Sequence, residues 1–314
     1  MQLDELICKD LGIDQSIIEE AVANARTLVK IFEIPKKNGD ARKIYHPSKK
    51  LKMIQYWLIR NVFEKMDVSE SSMAYKEGVS ILDNATYHSR NKYFLRLDFK
   101  DFFPSIKFDD LQPYLKAWHE KNNPSWDYNK ESLRLIRESC FYLEDKLAIG
   151  YPSSPIISNI VMFNFDLEVN ARLRSDFSEC PLYTRYADDL VFSTSVTGRC
   201  AEVEEMIKDL VMKFSSPELK INFDKTHYGS SLGGSARVTG LKVCENGHIT
   251  ISKKQKDHIR LLLSLNSKGR LSEDEQRSLL GHLSYCRHVA PQFYSKVSAK
   301  FFLDIRSLKE NHQY

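Results

Sequence analysis

The chain of 314 residues is predicted to adopt an α+β fold, on three observations. Its strand-like stretches are concentrated in the middle of the sequence. An early hairpin is marked by Asn38-Gly39 between two apolar runs. The segment from Lys253 onward is helical in pattern and sparse in glycine. Strands grouped centrally with helices at both ends describe an α+β layout. At roughly 150 residues per domain, the length allows about two domains or one larger multi-lobed unit. A chain of this size buries enough surface to form a core without disulfide staples.

Each element has a local reason. Residues 1–30 carry Leu11, Ile17, Ile18 and Ala21 at helical spacing. Residues 31–47 form the hairpin, because Asn-Gly suits the two-residue turn that joins twisted strands. Leu51, Ile54, Trp57, Leu58 and Val62 fall on one helical face between Leu51 and Met66. Tyr93–Phe99 alternates like a strand and carries Asp98 near its end. Two helices are predicted over 108–122 and 129–145. One more runs from Ser153 to about Leu173, opened by Ser154-Pro155. Leu182–Tyr186 and Leu190–Thr194 are short strands joined at Ala187-Asp188-Asp189. Glu202–Phe214 is amphipathic, and Ile221–Tyr228 and Arg237–Ile251 are further strands.

Composition narrows the class. With 42% hydrophobic, 28% charged and 11% aromatic residues, 12 Gly and 10 Pro, collagen-like, low-complexity and wholly disordered chains are excluded. A mean hydropathy of −0.42 fits a soluble protein, and no stretch approaches the ~20 apolar residues of a membrane span. The start, MQLDELICKD, has acids where a secretory signal needs a basic region and an apolar core. Six cysteines without a C-x-x-C pair read as reduced thiols, neither a disulfide framework nor a zinc site. A cytoplasmic protein with no membrane partner is expected. The net charge of +4 is unevenly spread. Lys30–Lys65 holds ten Lys/Arg against three Asp/Glu, and Lys253–Tyr314 holds twelve against six. Two basic lobes flank an acidic middle. They point to phosphate-backbone contact or to two solvated helical faces.

The acidic middle carries the chemistry. Asp188 and Asp189 sit at a tight hairpin tip, where adjacent like charges repel unless a cation neutralises them. With Asp98 at the end of a neighbouring strand they would form a hard, oxygen-rich site of the kind Mg²⁺ takes together with waters and substrate phosphates. Two such ions about 3.5–4 Å apart would clamp the attacking and leaving oxygens of a phosphoryl transfer.

The residues around these carboxylates resemble a known family. Tyr186-Ala187-Asp188-Asp189 resembles the YADD hairpin of reverse transcriptases. Asp98-Phe99-Lys100-Asp101-Phe102-Phe103-Pro104-Ser105-Ile106 resembles their first catalytic strand. Gly150-Tyr151-Pro152-Ser153-Ser154-Pro155 is similar to the motif that positions template and primer. The three occur in the family's order. Asn84-Ala85-Thr86-Tyr87-His88 and Val238-Thr239-Gly240 match the NAxxH and VTG elements of retron enzymes. The resemblance covers roughly residues 30–310.

The resemblance implies a right-hand polymerase with an antiparallel palm sheet plus helices. It implies an N-terminal helical extension over 1–30, fingers over 31–95, palm over 96–245 and a small, basic helical thumb over 246–314. It implies that Asp98, Asp188 and Asp189, with Phe99, hold two Mg²⁺, with Mn²⁺ as the substitute ion. Lys225 is the implied proton donor to leaving pyrophosphate. Lys36 or Lys37, Arg42, Phe103, Gly150 and Tyr151 would meet the incoming deoxynucleotide, with Phe103 excluding a ribose 2′-OH. Tyr186, Pro152, Ser153, Asn84, His88, Val238, Thr239, Gly240, Lys253, Lys254 and Arg260 would meet primer, template or RNA. His88 is assigned to structure or RNA rather than to metal. The implied product is multicopy single-stranded DNA (msDNA), a branched RNA–DNA. It would be made from dNTPs on the enzyme's own structured non-coding RNA (msr-msd), alongside an accessory effector protein in antiphage defence. The alternatives are another bacterial reverse transcriptase (abortive-infection, diversity-generating or group II intron type) and a catalytically silent RNA-binding relative. The sequence departs from the family at Ile149, where many members have Gln. Ile cannot supply the amide hydrogen bonds of that side chain.

Overall fold

A computed structural model of the chain describes residues 1–35, 39 and 41–312. The fold is α+β. The chain divides into two compact units, one formed by Met1–Glu77, Leu97–Leu190 and Glu202–Thr226, the other by Gly78–Arg96, Val191–Ala201 and His227–Tyr314. Both β3 (Tyr93–Asp98) and β5 (Asp189–Thr194) cross this division.

In the first unit, β1 (Val29–Pro35) pairs antiparallel with β2 (Ala41–Pro47), with Val29 opposite Pro47 and Pro35 opposite Ala41. The Lys37–Asp40 turn itself, apart from Gly39, lies outside the described residues, as does Lys36. The expected helix between Leu51 and Met66 is Lys49–Asn61, with Ser48 accepting the Leu51 N–H at its start. β4 (Leu182–Tyr186) and β5 are the strands expected on either side of Ala187-Asp188, and the four-stranded sheet has the order β4-β5-β3-β6, with β6 at His227–Ser230. Beneath the sheet's catalytic end, Phe99 stacks on Phe102 at 5.9 Å and meets Phe165 edge-on at 5.6 Å. Two of the aromatics in the Phe99–Phe103 run are therefore core, and Phe103 is only half-buried.

Three expectations are corrected. The single helix from Ser153 to Leu173 is two helices, Ser154–Val161 and Phe163–Asp176, parted at Met162 (φ −78°, ψ 0°). No glycine or proline marks the break. The helix over 129–145 stops at Cys140, and a turn with Glu144 and Asp145 in the left-handed region follows. Ile221–Tyr228 is mostly not a strand. Ile221 makes one bridge to Phe99, and Phe223–Lys225 then coils tightly before β6.

The hairpin β1–β2 is anchored by backbone. The Tyr45 N–H donates to the Ile149 carbonyl at 2.8 Å. Gly150, at φ +107°, lies so close that a Cβ there would sit 2.5 Å from the Tyr45 oxygen. Both its conformation and its space require glycine.

The second unit buries a hydrophobic cluster that includes Ala85, Phe94, Val238, Leu241, Val243, Ile259, Leu263, Leu279 and Leu283. Residues on both sides of position 246 thus share one core. Each fully buried leucine contributes about 1.5–3 kcal/mol. β7 (Arg237–Val238), β8 (Leu241–Val243) and β9 (Ile249–Thr250) form a small sheet in that order. Val238 pairs with Leu241 across Thr239-Gly240, whose φ values of +45° and +82° suit a two-residue hairpin of the I′ kind. The Thr239 hydroxyl donates to the Ile81 carbonyl at 3.1 Å, in the first turn of the helix Ile81–Tyr87 that carries Asn84. His88 caps that helix, fully buried, with its Nδ1 2.7 Å from the Ser193 hydroxyl.

Two outcomes follow from these contacts. Gly150→Ala must displace the hairpin backbone, so it should lower unfolding stability by about 1–3 kcal/mol, read by denaturant titration. Burial pushes the His88 imidazole down from 6.5 to about 3. The unfolded chain therefore binds that proton more readily, and the stabilisation is complete above pH 6.5 and lost as pH falls toward 3. Between pH 7 and 5 His88 should remove roughly 2 kcal/mol. His88→Asn should flatten the stability profile over that window, whatever its stability at pH 7.

Candidate active site

The candidate site lies in the first unit and is built by backbone pairing at the ends of β3 and β4. The Phe99 N–H donates to the Asp188 carbonyl at 3.1 Å, and the Asn222 N–H donates to the Asp98 carbonyl at 2.7 Å. The first bond brings Asp98 beside Asp188 although 90 positions separate them in the sequence, and the second ties Asp98 to the segment that carries Lys225. Ala187 turns the chain between β4 and β5 at φ +57°. Asp189 opens β5.

Electrostatics mark the pair. Burial first, and then the Asp98 charge, push the Asp188 carboxyl above its ordinary value, while its own backbone N–H, Lys225 and Arg42 pull it back. Lys225 clasps Asp98, with Nζ 2.7 and 2.9 Å from the two carboxylate oxygens. The tight coil Phe223–Lys225 is what turns that side chain onto the site. Arg42, exposed on β2, stands within electrostatic reach of Asp188 and of Tyr75. Among the described residues no three His, Cys, Asp or Glu side chains converge closely enough to hold a metal ion as they stand.

Other predicted site residues fall elsewhere. Tyr151 is 2% exposed and packs with Ala25, Leu51 and Ala148, so its ring cannot face a nucleotide. Ser153 is also buried, Pro152 half-buried and Gly150 exposed. Asn84, His88 and Val238 are fully buried in the second unit. Thr239 of VTG reaches the Ile81 carbonyl at the start of the helix that carries Asn84, and Gly240 is exposed at the turn. Lys253, Lys254 and Arg260 are exposed on the helix Lys253–Asn266. Arg260 pairs with Asp257 at 2.8 Å and lies 5.2 Å from the Phe293 ring.

Sequence reasoning missed the support beneath the hairpin. Arg185, fully buried, makes a two-pronged pair with Asp166, Nε to Oδ1 at 2.9 Å and Nη2 to Oδ2 at 2.8 Å. The Tyr183 hydroxyl donates to the same carboxylate at 2.7 Å. Arg185 Nη1 reaches Asn159 Oδ1 at 3.2 Å and the Ala187 carbonyl at 3.4 Å. Removing one partner of such a pair costs about 3–5 kcal/mol, because the other charge is left buried and uncompensated. The one available signal was an arginine inside a strand otherwise expected to be half apolar.

Comparison with known proteins follows the same line. The family model described as reverse transcriptase (RNA-dependent DNA polymerase) matches residues 34–282. The Retron Ec73 reverse transcriptase of Escherichia coli is 41% identical over 285 residues, 90% of each chain. The Retron Ec83 reverse transcriptase of the same organism is 30% identical over 282 residues, 88% of this chain and 87% of that one. Among solved structures, telomerase from Candida albicans, in complex with a telomeric RNA fragment, superposes with a TM-score of 0.52 at 15% identity. That match covers 90% of this chain but only 59% of the telomerase chain, and it speaks to the shared right-hand polymerase fold. With the motifs, the paired carboxylates and relatives matched over nine-tenths of their length, the chain belongs to the retron reverse transcriptases and is an RNA-directed DNA polymerase.

Proposed function

We propose that this polymerase makes msDNA, a branched RNA–DNA, from its own structured non-coding RNA, by two-metal nucleotidyl transfer at Asp98, Asp188 and Asp189. The observation that carries the reading is the forced neighbourhood of Asp98 and Asp188, with Lys225 neutralising one of them. A carboxyl pair whose burial and mutual repulsion disfavour ionisation suits divalent cations, and oxygen-only donors suit Mg²⁺, with Mn²⁺ as substitute. Bound there, such ions would neutralise the charge that develops on the attacking and leaving oxygens.

The protein's own groups do the rest. A primer hydroxyl attacks the α-phosphorus of a deoxynucleoside triphosphate, the new P–O bond forms, and the bond to pyrophosphate breaks. In the branching step that hydroxyl is a guanosine 2′-OH of the RNA. Arg42, within electrostatic reach of Asp188, grips the triphosphate with a fork of donors that lysine lacks. Lys225 carries an ammonium proton in the site and is the donor to the departing pyrophosphate. Tyr186 packs beside the primer terminus. Phe103, the half-buried member of its aromatic run, lies under the incoming sugar.

The basic helix is the RNA-backbone surface. Its first turn holds Lys253, Lys254 and Lys256, where the helix dipole disfavours cations. Such placement is unfavourable for the free protein and favourable once phosphates approach. Fingers over 31–95, palm over 96–245 and thumb over 246–314 are the proposed division of labour. The protein acts in the cytoplasm, in antiphage defence with an accessory effector. No described helix is long and apolar enough to cross a membrane.

Primer extension on an RNA template with Mg²⁺ tests the reading, and sequencing of co-purifying nucleic acid tests the branched product. Asp188→Asn or Asp189→Asn should reduce DNA synthesis by at least a hundredfold while RNA affinity stays within about twofold, given the scale of such charge-stabilising contributions. Parallel loss of RNA binding would mean a folding role. Phe103→Ala should admit ribonucleotides, read as incorporation of rNTP against dNTP. Unaltered sugar discrimination would remove Phe103 from that role.

A further inference from the structure

One residue at the site is absent from every motif above. Tyr75 is 48% exposed and holds φ at +58°, the left-handed region that a bulky side chain rarely adopts. It belongs to a segment that the buried network ties down tightly. Arg185 N–H donates to the Ser71 carbonyl at 2.7 Å, and the Met73 N–H donates to the Arg185 carbonyl at 2.8 Å. Ser72 pairs in parallel with Arg185. The Ser72 hydroxyl donates to Asn159 Oδ1 at 2.8 Å, and Asn159 Nδ2 donates to the Ala74 carbonyl at 2.9 Å.

Parallel pairing advances both chains in the same direction. From that single bridge each chain runs three more residues, through bends, to Tyr75 on one side and Asp188 on the other. The Tyr75 phenol accordingly lies within electrostatic reach of Asp188, Tyr186 and Arg42. Four hydrogen bonds thus hold the backbone up to residue 74, and the next residue presents a half-exposed ring in a strained conformation beside the catalytic turn. Strain that the surroundings over-determine is a mark of a working position.

We propose that the Tyr75 ring contacts the primer-terminal nucleotide of the template–primer duplex, opposite Tyr186, and so holds the reactive hydroxyl over the carboxylates. The proposal rests on the polymerase reading above. An uncharged ring suits a base and sugar rather than a triphosphate, which Arg42 serves on the same side. Asn159 is a positioning residue in this arrangement, because it fixes the backbone from which Tyr75 projects.

Tyr75→Gly is the decisive variant, since glycine adopts φ +58° without strain. Binding of a labelled RNA-template/DNA-primer duplex, measured by fluorescence anisotropy with Mg²⁺ and no nucleotide, should weaken roughly tenfold, the scale of one aromatic–base stack. The thermal midpoint should be unchanged or higher. Tyr75→Phe should bind within about twofold of the wild type. A Tyr75→Gly protein that binds the duplex as the wild type does, one that changes only the KM for dNTP, or one that melts lower would overturn the proposal. So would a Tyr75→Phe protein as weak as Tyr75→Gly. Extension of the primer by the wild-type chain tests the underlying reading separately.

Discussion

Two carboxylates that repel one another are held side by side, and much of the first unit can be understood as the means of holding them. Asp98 and Asp188 are brought together by a main-chain hydrogen bond from Phe99 to Asp188, and a second from Asn222 holds Asp98. Main-chain bonds of this kind do not relax when side chains move. The electrostatic cost is visible in the upward shift of the Asp188 carboxyl, which burial and the Asp98 charge produce together. It is partly offset by Lys225, clasped to Asp98, and by Arg42. The same arrangement would pull a triphosphate and its counter-ions inward.

Strain gathers around the same spot. Tyr75, Asp101 and Ala187 all have positive φ without being glycine, and all three flank the ends of β3 and β4 or the segment paired to β4. Such conformations persist only where neighbouring structure dictates them. At Tyr75 and Ala187 the neighbouring structure is the fully buried Arg185–Asp166 pair with Tyr183 and Asn159. Every polar atom of that cluster that the hairpin uses has a partner, so the cluster specifies one geometry rather than several. On the other flank, Gly150 lets the hairpin that carries Arg42 rest on the Ile149 carbonyl. The main chain at Ile149 therefore has a task even though its side chain cannot do what Gln does.

The second unit shows a different economy. The two short motifs that distinguish the retron enzymes, NAxxH and VTG, are used there to fold one small sheet against one short helix. Thr239 and Gly240 make the turn, Thr239 reaches the Ile81 carbonyl, and His88 is sealed beneath with Ser193. The lysines that begin the helix Lys253–Asn266 stay exposed and oppose its dipole.

The α+β class, the early hairpin, the paired strands around Ala187-Asp188, the two basic lobes and the identity of the acidic residues were all legible in the sequence. They depend on local periodicity, turn chemistry and charge, which a linear string carries directly. Residue 99 meeting 188, Lys225 turned onto Asp98 and the burial of Tyr151, Asn84 and His88 were decided only by tertiary structure. So were the break at Met162 and the strained, half-exposed Tyr75. Each depends on which distant segments share a sheet or a core. An arginine or a tyrosine is written the same way whether it ends in water or in the interior, and only packing settles which.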